Sequence, residues 1–335
     1  MGIRDKTSLV ERLRAMNARK IMLMLPDGLK RSSYDLFNEL SRKFAVILAS
    51  DAFYGACDIG NPDIYRDVDV IVQFGHSVIP NINYPRPVIF EEYRTEFTYD
   101  LPDQVYDPIV GKGYRTVGLL ASIQYLDTIN DVKDHLERLG LAAKIGRQDS
   151  RMGYPGQVLG CNFSAAHSIS ADVDCFLVIS TGRFHAIGAQ LSGSRESFIL
   201  DLNERKISSM KDETEKFLRK RYAKISQSLK ANRFCVIVDT KVGQYRKKLA
   251  DLICTQLKEL GKDYIMMYSN EFNSNDIVNS GSDAVIFTGC PRVPIDDYDR
   301  FPFPILTPVE FQTLFGFKKS DRYVLDEIVE VDRLN

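Results

Sequence analysis

Six cysteines are the residues of this 335-residue chain whose type and setting could do chemistry. Three sit beside glycine or alanine at the ends of apolar runs: Cys57 in Tyr54-Gly55-Ala56-Cys57-Asp58, Cys161 after Gly160, and Cys290 after Gly289. The others lie inside apolar stretches, with Cys175 opening the run 176–179, Cys235 within 234–238, and Cys254 in the helical pattern Leu252-Ile253-Cys254. The first set reads as ligands and the second as small buried hydrophobes. Cys57, Cys161 and Cys290 are 104 and 129 residues apart, so they form no short-range metal motif. A closed zinc site wants a fourth protein ligand. Three separated thiolates suit an iron–sulfur cubane with one iron left open to substrate.

Elements that could bring such residues forward recur along the chain. Three segments each open with a basic residue and an apolar run, at 19–25, 115–120 and 233–238. Each later carries an aspartate-led run that ends in glycine: Asp69 to Gly75, Asp174 to Gly182, and Asp283 to Gly289. Asp69 and Asp174 are 105 residues apart, and Asp174 and Asp283 are 109 apart. A period that long means related domains, not a solenoid of short repeats. Within each segment the apolar spacing alternates strand and helix, with helices expected at 126–139 and 243–260. The fold expected is therefore α/β: three related domains, each a small mostly parallel sheet flanked by helices, around a central cluster site. The boundaries are 1–110 with Cys57, 111–209 with Cys161, and 210–335 with a linking helix and Cys290. In that linking helix, at 210–230, the basic run Lys216, Arg219, Lys220, Arg221 and Lys224 reads as a solvated face, with a docking patch for a partner as the alternative.

Composition narrows the partners. Hydrophobic residues make up 44% and charged ones 27%, the balance of a globular protein. With 44 basic against 45 acidic residues there is no global pull toward nucleic acid or an acidic membrane, and no direct nucleic-acid binding is expected. No apolar run approaches the ~18 residues that span a bilayer. The charged N-terminus has no secretory apolar core, so a reducing cytoplasm is expected, where cysteines are kept for metals or catalysis.

In an open parallel sheet, ligands collect beyond the carboxyl ends of the strands. His76, Arg183, His185 and Arg292 would then line the centre beside the three thiols. The alternative for His76 and His185 is an ordinary strand-end turn, each ring capping backbone groups.

Several blocks together resemble one family. They are Leu25-Pro26-Asp27-Gly28-Leu29, Tyr54-Gly55-Ala56-Cys57-Asp58, Gly160-Cys161, Thr240-Lys241-Val242-Gly243-Gln244 and Thr288-Gly289-Cys290-Pro291-Arg292. The set is similar to the 2-(3-amino-3-carboxypropyl)histidine synthases of diphthamide biosynthesis, in their archaeal single-subunit form. The resemblance implies that Cys57, Cys161 and Cys290 hold a 4Fe-4S cluster whose fourth iron meets S-adenosylmethionine. It implies cleavage of the bond from sulfur to the methionine γ-carbon, giving a 3-amino-3-carboxypropyl radical that is added to C2 of a histidine in translation elongation factor 2. The C-x3-C-x2-C loop of conventional radical enzymes is absent from the sequence.

For the methionyl amino and carboxylate groups, the candidates are Gln244 and Arg292, with Lys241 and Thr288 from the same blocks. Gly243 is expected to open a helix whose N-terminal amides receive the carboxylate. His76 and His185, as catalytic candidates, would orient the incoming imidazole. The family also implies a homodimer and a separate, unidentified electron donor. Two rivals remain at this level. A quinolinate-synthase-like dehydratase would use the open iron as a Lewis acid, and an accessory subunit would carry inert thiols.

Overall fold

Glycine-punctuated apolar runs fold here into three sheets. The computed structural model describes residues 6–31, 33–51, 53–60, 64–297 and 300–333. The first sheet holds β1 (Lys20–Met24), β2 (Ala45–Leu48), β3 (Val70–Phe74) and β4 (Val88–Glu91), in the order β2-β1-β3-β4 and all parallel. The second holds β5 (Thr116–Ala121), β6 (Ala142–Ile145), β7 (Cys175–Ile179), β8 (Glu196–Asp201) and β9 (Lys206–Ser209). Its order is β6-β5-β7-β8-β9, with only β9 antiparallel. The third holds β10 (Arg233–Asp239), β11 (Asp263–Ser269), β12 (Ala284–Phe287) and β13 (Ile305–Leu306), ordered β11-β10-β12-β13 and parallel.

The strand order is the same in all three, and so is one polar device. The aspartate just before the third strand of each sheet accepts two backbone N–H groups from the start of the first strand. Asp69 Oδ2 takes those of Arg19 and Lys20 at 2.8 and 2.9 Å. Asp174 Oδ2 takes those of Arg115 and Thr116 at 2.8 and 2.9 Å, and Asp283 Oδ2 those of Asn232 and Arg233 at 3.1 and 2.9 Å. These N–H bonds hold all three carboxyls below the ordinary carboxylate value. The third strands run through the middle of their sheets with every residue buried, which is why they read as apolar runs broken only by Gln73.

The chain forms two compact units. One runs up to Arg94 and includes Lys241–Gly243; the other comprises Thr95–Thr240 and Gln244 onward. The first sheet packs Ile21, Leu23, Val70 and Val72 against helix residues Leu9, Leu13, Leu36 and Leu40. In the second unit, Phe163, Phe176 and Val178 share one apolar core with Phe234, Val236, Ile286 and Phe311, so two sheets are built on common packing. Among the described residues no helix is long and apolar enough to cross a membrane.

Three helical expectations need correcting. The segment expected as one helix at 126–139 is a 3-10 stretch, Ile123–Thr128, running into the α-helix Ile129–Arg138. The helix expected from Gly243 begins at Lys247 (Lys247–Glu259), because residues 241–244 turn instead. The linking helix is Lys211–Gln227. Its Arg221 is not on a solvated face: the guanidinium is fully buried and grips Glu310 at 2.9 and 2.6 Å. It also donates to the Pro294 carbonyl at 2.7 Å.

Candidate functional site

Each of Cys57, Cys161 and Cys290 is partly exposed, whereas Cys175, Cys235 and Cys254 are buried. Burial pushes the Cys175 and Cys235 thiols up to about 12 and Cys254 to about 11. Inside apolar elements these three pack as small hydrophobes.

In the first unit, Cys57 lies in the turn that follows β2. Gln73, buried in the otherwise apolar β3, donates its amide nitrogen to the Gly55 and Asp58 carbonyls at 3.3 and 2.8 Å. Tyr84 donates its hydroxyl to the Ala56 carbonyl at 2.9 Å. Gly243 donates its backbone N–H to the Cys57 carbonyl at 2.8 Å, while Val242 packs into the surrounding core. The turn around the thiol is thus tied on several sides. His76 follows the end of β3; one ring N–H bonds the Tyr54 backbone while Nδ1 is buried without a partner. Burial lowers its pKa to about 4, so the ring is neutral.

In the second unit, Gly160 and Cys161 form the tip of a small hairpin closed by the Leu159–Asn162 bridge. Cys290 follows β12 and immediately precedes the short helix Arg292–Asp296. Arg292 connects the two. Its aliphatic stem runs so close to Gly160 that a Cβ there would lie 2.9 Å from Cδ. Its guanidinium stacks 4.1 Å over the Phe184 ring and pairs with Asp296. Burial lowers the Arg292 pKa, opposed by the Asp296 charge and then by the Cys290 and Cys161 sulfurs. Burial likewise raises the Cys161 thiol, and the nearby Arg151 and Arg246 charges pull it back. The net direction for Cys161 is upward, with burial outweighing the guanidinium groups around it.

That donor set fits an iron–sulfur cluster: soft thiolates with cationic neighbours to offset an anionic centre. Among the described residues, no three His, Cys, Asp or Glu side chains of either unit gather for a single metal ion.

The other expected residues fall as follows. Gln244 accepts the Cys290 N–H on its Oε1 at 2.9 Å. Thr288 is fully buried and donates its hydroxyl to the Ile237 carbonyl at 2.9 Å, so it ties β12 to β10 instead of facing a ligand. Gly243 lies four residues ahead of its helix and serves the Cys57 turn, which replaces the helix-terminus role expected of it. Lys241 is partly exposed in the turn after β10. His185 meets the Ser180 hydroxyl at 2.9 Å through Nδ1, and burial with the Arg292 charge drops its pKa to about 3. Arg183 is exposed and reaches Glu213 at 3.4 Å.

Sequence reasoning missed Gln73, Tyr84, Arg151 and Arg246. Arg246 is buried, donates to the Thr288 and Gly289 carbonyls at 2.6 and 2.9 Å, and pairs with Asp326. One signal existed for Gln73, the lone polar residue of the strand Val70-Ile71-Val72-Gln73-Phe74.

Comparison with known proteins supplies the context. The sequence profile of the diphthamide synthesis protein family matches residues 25–324. A 2-(3-amino-3-carboxypropyl)histidine synthase of Pyrococcus horikoshii is 30% identical over 97% of this chain and 93% of its own. The Methanocaldococcus jannaschii protein of the same name is 27% identical over 94% of this chain and 89% of its own. The crystal structure of Dph2 from Pyrococcus horikoshii with a 4Fe-4S cluster superposes with a TM-score of 0.87, at 28% identity, covering 98% of this chain and 95% of that one. With matching sequence blocks, three sheets of the same order and full-length likeness to a solved member, this chain belongs to the diphthamide synthesis family.

Proposed function

We propose that this chain is a 2-(3-amino-3-carboxypropyl)histidine synthase. It moves the 3-amino-3-carboxypropyl group of S-adenosylmethionine to C2 of a histidine in translation elongation factor 2, the first step of diphthamide biosynthesis. The observation that carries the reading is Arg292, two residues after Cys290 and with its stem packed against Gly160 beside Cys161, in a chain of this family.

Cys57, Cys161 and Cys290 would hold a 4Fe-4S cluster. When bound, such a cluster supplies one electron to the sulfonium, opening the bond from sulfur to the methionine γ-carbon and leaving methylthioadenosine.

The chain's own residues bind and orient. Arg292 offers a planar guanidinium suited to a carboxylate, held flat by Phe184. Gln244, positioned by its bond to Cys290, and Lys241 are the remaining anchors for the methionyl end. His76 and His185, kept neutral by burial, can exchange hydrogen bonds with an incoming imidazole without adding charge. Fixing the substrate's geometry is where the protein contributes most to the rate. The chain works in the cytoplasm with a separate, unidentified electron donor, and the family resemblance implies a homodimer.

The test is anaerobic reconstitution with iron and sulfide, reduction with dithionite, then S-adenosylmethionine with elongation factor 2. Methylthioadenosine release and a modified histidine in the mass spectrum are expected. Iron uptake with neither methylthioadenosine nor a modified histidine formed would overturn the reading, as would failure to take up iron.

A further inference from the structure

The last described stretch of the chain has no helix or strand from residue 321 on, yet much of it is buried. Leu325, Asp326 and Ile328 are 8%, 3% and 1% exposed. Irregular backbone is buried only where partners outside it satisfy its polar groups. Those partners here are the two cysteine loops of the second unit. Ile328 donates its backbone N–H to the carbonyl of Cys161 at 2.8 Å. Glu327 accepts the Phe163 N–H at 2.7 Å on one oxygen, and meets His167 and Ser192 at 2.7 and 2.9 Å on the other. Asp326 grips Arg246 at 3.2 and 2.7 Å, and Arg246 passes the grip to the Thr288 and Gly289 carbonyls just before Cys290. Three consecutive residues thus reach both the 160–163 turn and the 288–290 turn. They lie just past residue 324, where the family profile match ends.

We propose that Asp326, Glu327 and Ile328 are positioning residues for the cluster: a C-terminal clasp that fixes the Cys161 turn relative to the Cys290 turn. The proposal rests on the reading of Cys161 and Cys290 as cluster ligands. Groups behind metal ligands orient them, and their loss typically weakens metal retention by about 10–100-fold. Two turns on separate sheets keep a fixed separation only if something ties them, and a buried ion pair with hydrogen-bonded neighbours is a directional tie.

The full chain carrying Asp326→Asn or Glu327→Ala is reconstituted anaerobically and challenged with a ferrous chelator, below the unfolding temperature of each variant. Leu136→Ala serves as a destabilised control, since Leu136 is fully buried on the opposite face of the second sheet. Both clasp variants are expected to stay folded by circular dichroism and release iron about tenfold faster than the parent. Leu136→Ala is expected to lower the Tm while releasing iron at the parent rate. Parent-like release from the folded clasp variants overturns the proposal, as does equally fast release from Leu136→Ala. If Asp326→Asn does not fold, Glu327→Ala decides by the same criterion. Cys161→Ala and Cys290→Ala run alongside: full iron uptake by these would sink the ligand reading itself, and the clasp with it.

Discussion

Gly243 stands against Cys57 so closely that a Cβ on it would lie 2.5 Å from both Cα and Cβ of the cysteine. The N–H···O bond of 2.8 Å between them leaves the backbone no direction in which to yield. Gly243→Ala is therefore expected to push the Cys57 turn out of place and cut iron uptake severalfold. Gly28→Ala, where a Cβ would meet nothing within 4 Å, should load like the parent. Iron per chain after reconstitution distinguishes the two.

Alkylation of the apo-protein should separate the six thiols. Cys57, Cys161 and Cys290, partly exposed, are expected to react under native conditions, and Cys175, Cys235 and Cys254 only after unfolding, since they are buried away from the reagent. Alanine at any of the first three should abolish cluster loading. Alanine at any of the others should leave it intact and cost about 1 kcal/mol of stability.

Glu310→Ala would strand the Arg221 guanidinium, which is fully buried and also reaches the Pro294 and Ile305 carbonyls. Glu310 additionally accepts the Tyr323 hydroxyl at 2.7 Å and closes the capping box of the helix Pro308–Leu314. Removing one partner of a buried pair typically costs about 3–5 kcal/mol. A shift of that size in urea unfolding is expected, and one below ~1 kcal/mol would show the pair to be dispensable.

His76 and His185 predict the acid response of the apo-protein. Their folded pKa values, about 4 and about 3, lie below the ordinary 6.5. Between those limits the unfolded chain binds protons that the folded chain does not, so the two histidines' contribution to stability falls as pH drops from 6.5 toward 4 and 3, then levels off. Each unit of depression corresponds to at most about 1.4 kcal/mol. Urea midpoints at pH 7.5 and pH 5 should differ clearly in the parent and less in His185→Phe.

What was legible in the sequence was what repeats or acts locally. Asp69, Asp174 and Asp283 announced three equivalent strands, because a carboxylate before a buried strand has one task wherever it occurs. The division of thiols was legible too, since small residues beside Cys57, Cys161 and Cys290 exclude core packing. Arg221 was misplaced although Thr214, Arg221 and Ile225 share a buried helical face; its partner Glu310 is 89 residues away and gave no local sign. Gly243 was assigned to a helix start because its neighbour in space, Cys57, is far off in sequence. Arg246 and Asp326, 80 residues apart, are invisible for the same reason.

Lys241–Gly243 are part of the first compact unit although they are encoded far behind the rest of it. On a ribosome the N-terminal sheet would emerge and pair its strands long before this short thread is made. Its cysteine turn would wait, lacking the Gly243 contact, until most of the protein had been translated. Were Cys57 the cluster ligand proposed above, the order of synthesis itself would disfavour iron capture by a half-made chain.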